Sequence, residues 1–437
     1  MSPPVRSVRE FLSAPADDDI VLGGWVEDVR NLGSIAFVLL RLRDGTVQVT
    51  VKKKANEALF LQLTKLSRES VIRVTGRVIP NQEARHGREL QPATAEVLAP
   101  ADTPLPLGVV DRVGADFDTR LDNRTIDLRK PAAQAIFRIR SMLEDALRGE
   151  LRRRGFVEVH TPKLAGAGAE GGATLFQTEY FGRRAYLAQS PQLYKQMLMA
   201  TGFDRVYEIA PAFRAEPSDT IRHVTEFVSF DGEVAWIEHQ EDILRIVEET
   251  IASAMTLVRD EGKEALSTLG VEVRVPSLPL PRVPYVEALE LLRQRGKRIR
   301  DGDDIDTEGE KVLGQAMAEG AHEMFFITEY PTAIKPFYVM ANPKGPEYSF
   351  SFDLEYRGDE MASGGQREHR HEVLLENLRA KGLDPAGFDF YLSAFRYGIP
   401  PHGGWGLGID RLVQRLLALP NIREAILFPR DRNRLQP

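Results

Sequence analysis

The sequence has no cysteine in 437 residues. That excludes disulfide frameworks, thiolate zinc sites, iron–sulfur clusters and cysteine nucleophiles. It also has no apolar run of about 18 residues, so no segment reads as a membrane span. The N-terminal MSPPVRSVREF lacks the apolar core of a signal peptide, and a cytoplasmic protein is expected. No Walker A sequence occurs, and no strand–turn–helix unit carries a complete Rossmann fingerprint. Any nucleotide site must therefore belong to another architecture. Positive charge is not in excess either: 57 Lys and Arg face 64 Asp and Glu, a net charge of −7. Taken over the whole chain, this speaks against a nucleic-acid partner, because phosphate binding is driven by Lys and Arg.

What is present is ordinary globular composition, 43% hydrophobic and 28% charged. At about 100–200 residues per domain, two to four domains are expected. The charge is uneven: residues 1–102 hold fourteen basic and thirteen acidic side chains, so they carry +1 and the remainder −8. The first hundred residues thus read as a separate unit. There, IVLGGWVEDV, SIAFVLLRL, TVQVTV and SVIRVTGRVI are Val- and Ile-rich with partial alternation, separated by turn signals at Asn31–Gly33 and Asp44-Gly45. RELQPATAEVL supplies a fifth strand, and a helical stretch from Ala55 to Leu66 lies between the third and fourth. Five strands with one helix in that place match an OB-fold barrel, a scaffold that often binds single-stranded nucleic acid. Phe37 and Gln48 could give an aromatic platform and an amide for a base edge; a core Phe and a surface Gln are the bland alternative. Residues 103–131 read as a linker or hinge.

From Pro131 a helix is predicted: Ile136, Ile139, Leu143, Leu147 and Leu151 recur at spacings of three and four, with Gly155 as its stop. A strand ending at Pro162 follows. Next comes the Gly/Ala-rich AGAGAEGGATLF with Glu170, a candidate lid. RAYLAQSPQLYKQML turns from strand to helix near Pro191 and carries Ser190, Gln192 and Lys195. Residues 205–233 read as two strands joined by a polar loop. Arg214 and Glu216 lie on one arm, Arg222, His223 and Val224 at the rejoining point, and Phe227 on the other arm. Two arginines suit nucleotide phosphates and an aromatic suits the base, with structural ion pairs as the alternative. Residues 235–258 form an amphipathic helix, and 260–345 alternate helix and strand with no nameable chemistry. Further on, Glu360 and Ser363 offer the oxygens that Mg²⁺ accepts, and Arg367 can grip a carboxylate. In the closing YGIPPHGGWGLGIDRLVQRLLAL, a glycine-rich turn through Gly408 enters a helix near Ile409. Asp410 and Arg411 lie in its first turn.

Three blocks in fixed order carry a family resemblance: a helix and strand ending in Pro162, a strand–loop–strand with Phe213-Arg214-Ala215-Glu216, and Gly406-Leu407-Gly408-Ile409-Asp410-Arg411 on a terminal helix. Together they resemble the signature motifs of class II aminoacyl-tRNA synthetases. With an OB-fold in front, the chain resembles the subgroup that activates aspartate, asparagine or lysine, and within it the archaeal-type aspartyl enzymes. The resemblance implies an α+β fold: an OB-fold anticodon-binding domain (1–102), the linker (103–131) and a catalytic domain (132–437) with an antiparallel sheet flanked by helices. It also implies a homodimer built on the first motif near Pro162.

It further implies roles for the candidate residues. Arg214 would meet the α-phosphate and the substrate carboxylate, and Glu216 the adenine amino group. Phe227 and Arg411 would sandwich the adenine, and Arg222 would hold the γ-phosphate. His223, Val224, Gly408, Ile409 and Asp410 would complete the ATP site, with Mg²⁺ on Glu360 and Ser363. Aspartate would contact Glu170, Ser190, Gln192, Lys195, Arg214, Ser363 and Arg367. Phe37 and Gln48 would read the anticodon of tRNA(Asp), and of tRNA(Asn) in a relaxed enzyme. A buried carboxylate substrate needs cations, which Lys195 and Arg367 supply. Asparaginyl enzymes, the competing reading, usually lack that lysine.

Overall fold

The computed structural model describes residues 4–5, 7–110, 114–166, 175–218 and 220–436, which form two compact units, Met1–Pro106 and Leu107–Pro437. The first is a closed barrel of β1 (Asp19–Asn31), β2 (Ile35–Leu42), β3 (Gly45–Lys52), β4 (Val71–Pro80) and β5 (Arg88–Ala99), in the order β1-β2-β3-β5-β4. Alternation explains it: Ala36, Val38 and Leu40 on β2 and Val47, Val49 and Val51 on β3 all point into one buried core. The helix Glu57–Thr64 sits between β3 and β4 as expected. It is shorter than the stretch from Ala55 to Leu66 because Asn56 caps it, accepting from Leu59 N at 3.0 Å.

In the second unit, residues 116–127, expected within a linker, form two short helices, Phe117–Asp122 and Arg124–Asp127. The helix Pro131–Arg153 follows, and Gly155 adopts φ 80°, the left-handed stop that its position suggested. The strand expected up to Pro162 is brief, β6 (Val157–Glu158). A three-stranded sheet of β7 (Leu164–Ala165), β8 (Gln177–Tyr180) and β9 (Arg183–Leu187) leads to the helix Gln192–Leu198. The polar-loop strands are β10 (Arg205–Phe213) and β11 (Glu226–Ala235). The next helix runs Glu241–Glu261 rather than 235–258. Asp242 accepts from the backbone N–H groups of Glu238 and His239 at 3.0 and 3.2 Å, holding those residues in a bend ahead of the helix. The helix Lys263–Leu269, β12 (Arg282–Pro284), the helices Tyr285–Gln294 and Thr307–Glu319, β13 (Met324–Thr328) and a ladder of β14 (Ala341–Asn342) and β15 (Gly345–Ser349) fill the central stretch. Then come β16 (Ser351–Tyr356), β17 (Asp359–Gln366), helices His371–Ala380 and Asp389–Arg396, β18 (His402–Gly408) and the helix Ile409–Leu416.

Eight of these strands form one sheet, β12-β13-β16-β17-β18-β11-β10-β6, antiparallel except for parallel pairing at its two edges. One face is greasy: Val228, Phe230 and Val234 of β11 and Trp405 and Leu407 of β18 pack on the helices Pro131–Arg153 and Glu241–Glu261. The helices therefore cover that face and leave the other for chemistry. No helix of the described residues is long and apolar enough to cross a membrane.

Candidate active site

The open face of the sheet floors a cavity of about 420 Å³. Its lining brings together Ser190, Gln192, Arg214, Glu216, Arg222, His223, Val224, Phe227, Glu360, Ser363, Arg367, Gly408, Asp410 and Arg411, which are scattered over more than two hundred positions of sequence. Three expected residues stand apart. Ile409 is fully buried in the core beneath the sheet. Lys195 lies just behind the cavity wall, buried and ion-paired. Glu170 lies outside the described residues.

The strand period explains the floor. On β11, Phe227, Ser229, Asp231 and Glu233 share the face opposite the apolar Val228, Phe230 and Val234. Asp231 accepts from Lys195 Nζ at 3.0 Å and from the Ser229 hydroxyl. Glu233, with no exposed surface, binds Arg367 through Nε and Nη2 at 3.0 and 3.3 Å, and Lys195 Nζ lies 3.6 Å from it. Burial alone would raise the Glu233 carboxyl, yet Arg367 and Lys195 hold it below the usual carboxylate range. Lys195 also donates to Trp405 O at 2.6 Å, and Arg367 Nη2 reaches Gln192 Oε1 at 3.5 Å. Among the described residues the Gln192 Nε2 atom is buried without a protein partner. Asp231 and Glu233 were missed by sequence reasoning. The signal was there: acidic residues alternating along a strand whose other face is apolar.

At the other end, Arg214 packs over the Phe227 ring (5.4 Å to its centroid), and Arg411 donates to Glu360 O at 2.6 Å. Asp410, although it lines the cavity, is committed to structure. It accepts from Val228 N at 2.8 Å and from Arg140 of the helix Pro131–Arg153. A bulge between β16 and β17 leaves Met361 as an extra residue, so Glu360 and Ser363 both face the cavity. Asp353, paired in register with Ser363, has its Oδ1 buried without a partner among the described residues, while Oδ2 accepts from Lys335 Nζ at 2.8 Å. Burial pushes the Glu360 carboxyl up to about 6, helped by Asp353 and opposed by Arg411 and Lys335. Carboxylate and hydroxyl oxygens are the donors Mg²⁺ accepts. No group of three or more His, Cys, Asp or Glu among the described residues is placed to hold a metal alone. A partial oxygen shell of this kind suits an ion that keeps water and phosphate ligands.

Behind the cavity, His402 is fully buried. Its Nδ1–H donates to Pro400 O at 2.9 Å, and its Nε2 accepts from the Gln196 amide at 3.4 Å. Burial pushes its pKa down to about 4, against the pull of Glu233. Below the unfolded value of about 6.5 the unfolded chain takes up a proton that the folded one refuses. Stability is thus expected to fall as pH drops from about 6.5 to about 4, by about 3 kcal/mol for this group. Thermal midpoints against pH for the protein and its His402→Asn variant check this, because the gap between them should narrow over that window.

A family model described as tRNA synthetases class II (D, K and N) matches residues 116–432, and one described as an OB-fold nucleic acid binding domain matches residues 20–98. The chain is a class II aminoacyl-tRNA synthetase. Among curated relatives of this synthetase, the aspartate–tRNA(Asp) ligase of Thermococcus kodakarensis is 51% identical over 420 residues, 96% of each chain. The aspartate–tRNA(Asp/Asn) ligase of Methanopyrus kandleri is 50% identical over 421 residues, also 96% of each. Of solved structures, asparaginyl-tRNA synthetase from Pyrococcus horikoshii with asparaginyl-adenylate superposes with a TM-score of 0.90 at 34% identity, covering 97% of both chains. The synthetase fold is thus shared with an enzyme for the neighbouring amino acid, and the choice of substrate rests on the pocket.

Proposed function

We propose that this synthetase is an aspartate–tRNA ligase, joining L-aspartate to tRNA(Asp) at the expense of ATP in the cytoplasm. The observation that carries the substrate choice is the charge count of the buried pocket. Lys195 and Arg367 face Asp231 and Glu233, so these four side chains sum to zero. An amino acid brings an α-ammonium, which the cavity-lining Asp231 balances. That leaves two cations against Glu233 alone, a surplus of one positive charge. The side-chain carboxylate of aspartate neutralises it. Asparagine would leave the surplus buried and lysine would double it, and an uncompensated buried charge is strongly disfavoured.

In the reaction proposed, an oxygen of the aspartate α-carboxylate attacks the α-phosphorus of ATP in line. The new O–P bond forms as the bond to pyrophosphate breaks. The terminal ribose hydroxyl of tRNA then attacks the activated carbonyl, loses its proton, and AMP leaves. Arg214 meets both the α-carboxylate and the α-phosphate and holds them at reacting distance. Phe227 and Arg411 clasp the adenine, Glu216 accepts from its amino group, and Arg222 holds the terminal phosphate, with His223, Val224 and Gly408 shaping the wall. Glu360, Ser363 and Asp353 are the residues that would hold Mg²⁺, which when bound neutralises developing phosphate charge.

In the barrel, Phe37 and Gln48 lie half-buried on the outer side of β2 and β3, opposite the core face. Gln48 Nε2 donates to Glu89 at 2.8 Å and to Thr50 at 3.3 Å, and Glu89 also accepts from Thr50 and Asn81. With its amide hydrogens so engaged, Gln48 has its oxygen left to meet a base donor, beside a Phe37 platform. Phe37→Ala is expected to raise the KM for tRNA(Asp) by about 5- to 150-fold, since stacking one base is worth about 1–3 kcal/mol. Pyrophosphate exchange, which needs no tRNA, should stay unchanged. Charging purified tRNA(Asn) with aspartate tests the relaxed range, which the Methanopyrus relative's name supports.

A homodimer is proposed on the helices Pro131–Arg153 and Glu241–Glu261. They border an open groove of about 1130 Å³ lined by Phe137, Met142, Ala146 and Leu257. Exposed Val157, Pro162 and Leu164 offer further apolar surface in the same unit.

A further inference from the structure

Residues 260–345 carry no chemistry legible in sequence, yet they supply a wall of the site. Arg222, on the loop between β10 and β11, places Nη2 2.6 Å from Glu310 Oε2 and 2.8 Å from Asp359 Oδ1. Among the described residues its Nη1 is buried without a protein partner, although the side chain lines the cavity. Glu310 stands in the first turn of the helix Thr307–Glu319, and Asp359 opens β17, its second oxygen engaged by Arg415.

The mounts of these two carboxylates are locked together. A Cβ on Gly314 would lie 2.5 Å from the Gly358 backbone, so the helix and the β16–β17 turn touch main chain to main chain. Gly358 itself takes φ 75°, which glycine adopts without strain. Asp306 caps the helix by accepting from Gly309 N at 2.7 Å, and Lys297 holds Asp306 at 2.9 Å. The carboxylates therefore reach Arg222 from backbone that is fixed relative to the strand bearing Glu360 and Ser363.

We propose that Glu310, assisted by Asp359, is a positioning residue that sets the Arg222 guanidinium so that its unpaired Nη1 meets the terminal phosphates of ATP. This rests on the reading of Arg222 as a phosphate ligand. A long arginine on a loop would otherwise sample many rotamers, and fixing it beforehand removes that entropy from nucleotide binding. The two arginines and two carboxylates also sum to zero, so Arg222 is held in place before any anion arrives.

A double-mutant cycle tests it, read by aspartate-dependent ATP–pyrophosphate exchange with ATP varied. Glu310→Ala should lower kcat/KM for ATP about 10-fold or more and leave the KM for aspartate within about twofold. Glu310→Gln, whose amide oxygen still accepts from Nη2, should recover most of the loss. In the Arg222→Ala background, Glu310→Ala should add almost nothing, a result that a merely structural helix residue would not produce. If Glu310→Ala costs as much in that background as alone, or costs nothing in the parent while Arg222→Ala does, the positioning role is overturned. If Arg222→Ala itself leaves the ATP dependence unchanged, the reading of Arg222 falls, and the positioning role with it.

Discussion

Lys195→Met is expected to lower kcat/KM for aspartate by about 10²- to 10⁴-fold, because breaking a buried ion pair costs about 3–5 kcal/mol. Lys195 is almost wholly buried, 3.0 Å from Asp231 and 3.6 Å from Glu233, so no solvent screens the loss. With the ammonium balanced by Asp231, the variant pocket holds Arg367 against Glu233 and has no surplus charge for a substrate carboxylate. Asparagine, a neutral isostere, then fits the count better than aspartate does. The ratio of pyrophosphate exchange with the two amino acids should therefore collapse by at least about 100-fold, even though both absolute rates fall. An aspartate preference that stays within about threefold of the parent's would sink the charge-balance account. The ratio is the decisive quantity, since loss of folded protein would lower both rates alike.

Arg214→Ala should lower kcat by about 10²- to 10³-fold, the scale seen when one pre-aimed donor to a developing anion is removed. Arg214 is half-buried and packs over Phe227. Its loss should leave the thermal midpoint nearly unchanged while removing the group proposed to bridge the attacking carboxylate and the phosphorus. Single-turnover formation of aspartyl-adenylate isolates that step. Formation at near-parental rate would show that Arg214 does not act there.

The barrel and most of the cavity lining were legible in the linear text. Alternation along 35–42 and 45–52 marks two half-buried strands, because side chains on a strand point to opposite faces by geometry. The order of Arg214, Glu216 and Arg411 around a strand–loop–strand and a terminal helix was legible as a family pattern. The chemistry of residues 260–345 was not. Glu310 meets Arg222 across 88 positions, and nothing in either neighbourhood announces the partner. The later start of the helix at Glu241 was likewise hidden in one side chain, Asp242, which accepts from two N–H groups ahead of the helix.

The net charge of −7 speaks against a nucleic-acid partner only when spread over the whole chain, since the first 102 residues carry +1. Sequence by itself determined the barrel strands, the long helix from Pro131 and most of the residues that line the cavity, because these follow from local period, residue type and motif order. Tertiary structure alone decided the charge of the pocket. Lys195 reaches Trp405 across 210 positions, and Arg367 reaches Glu233 across 134. Coulomb energy depends on distance and on the surrounding dielectric. Both are set only when strands β11, β17 and β18 pair and the helices close off water behind them.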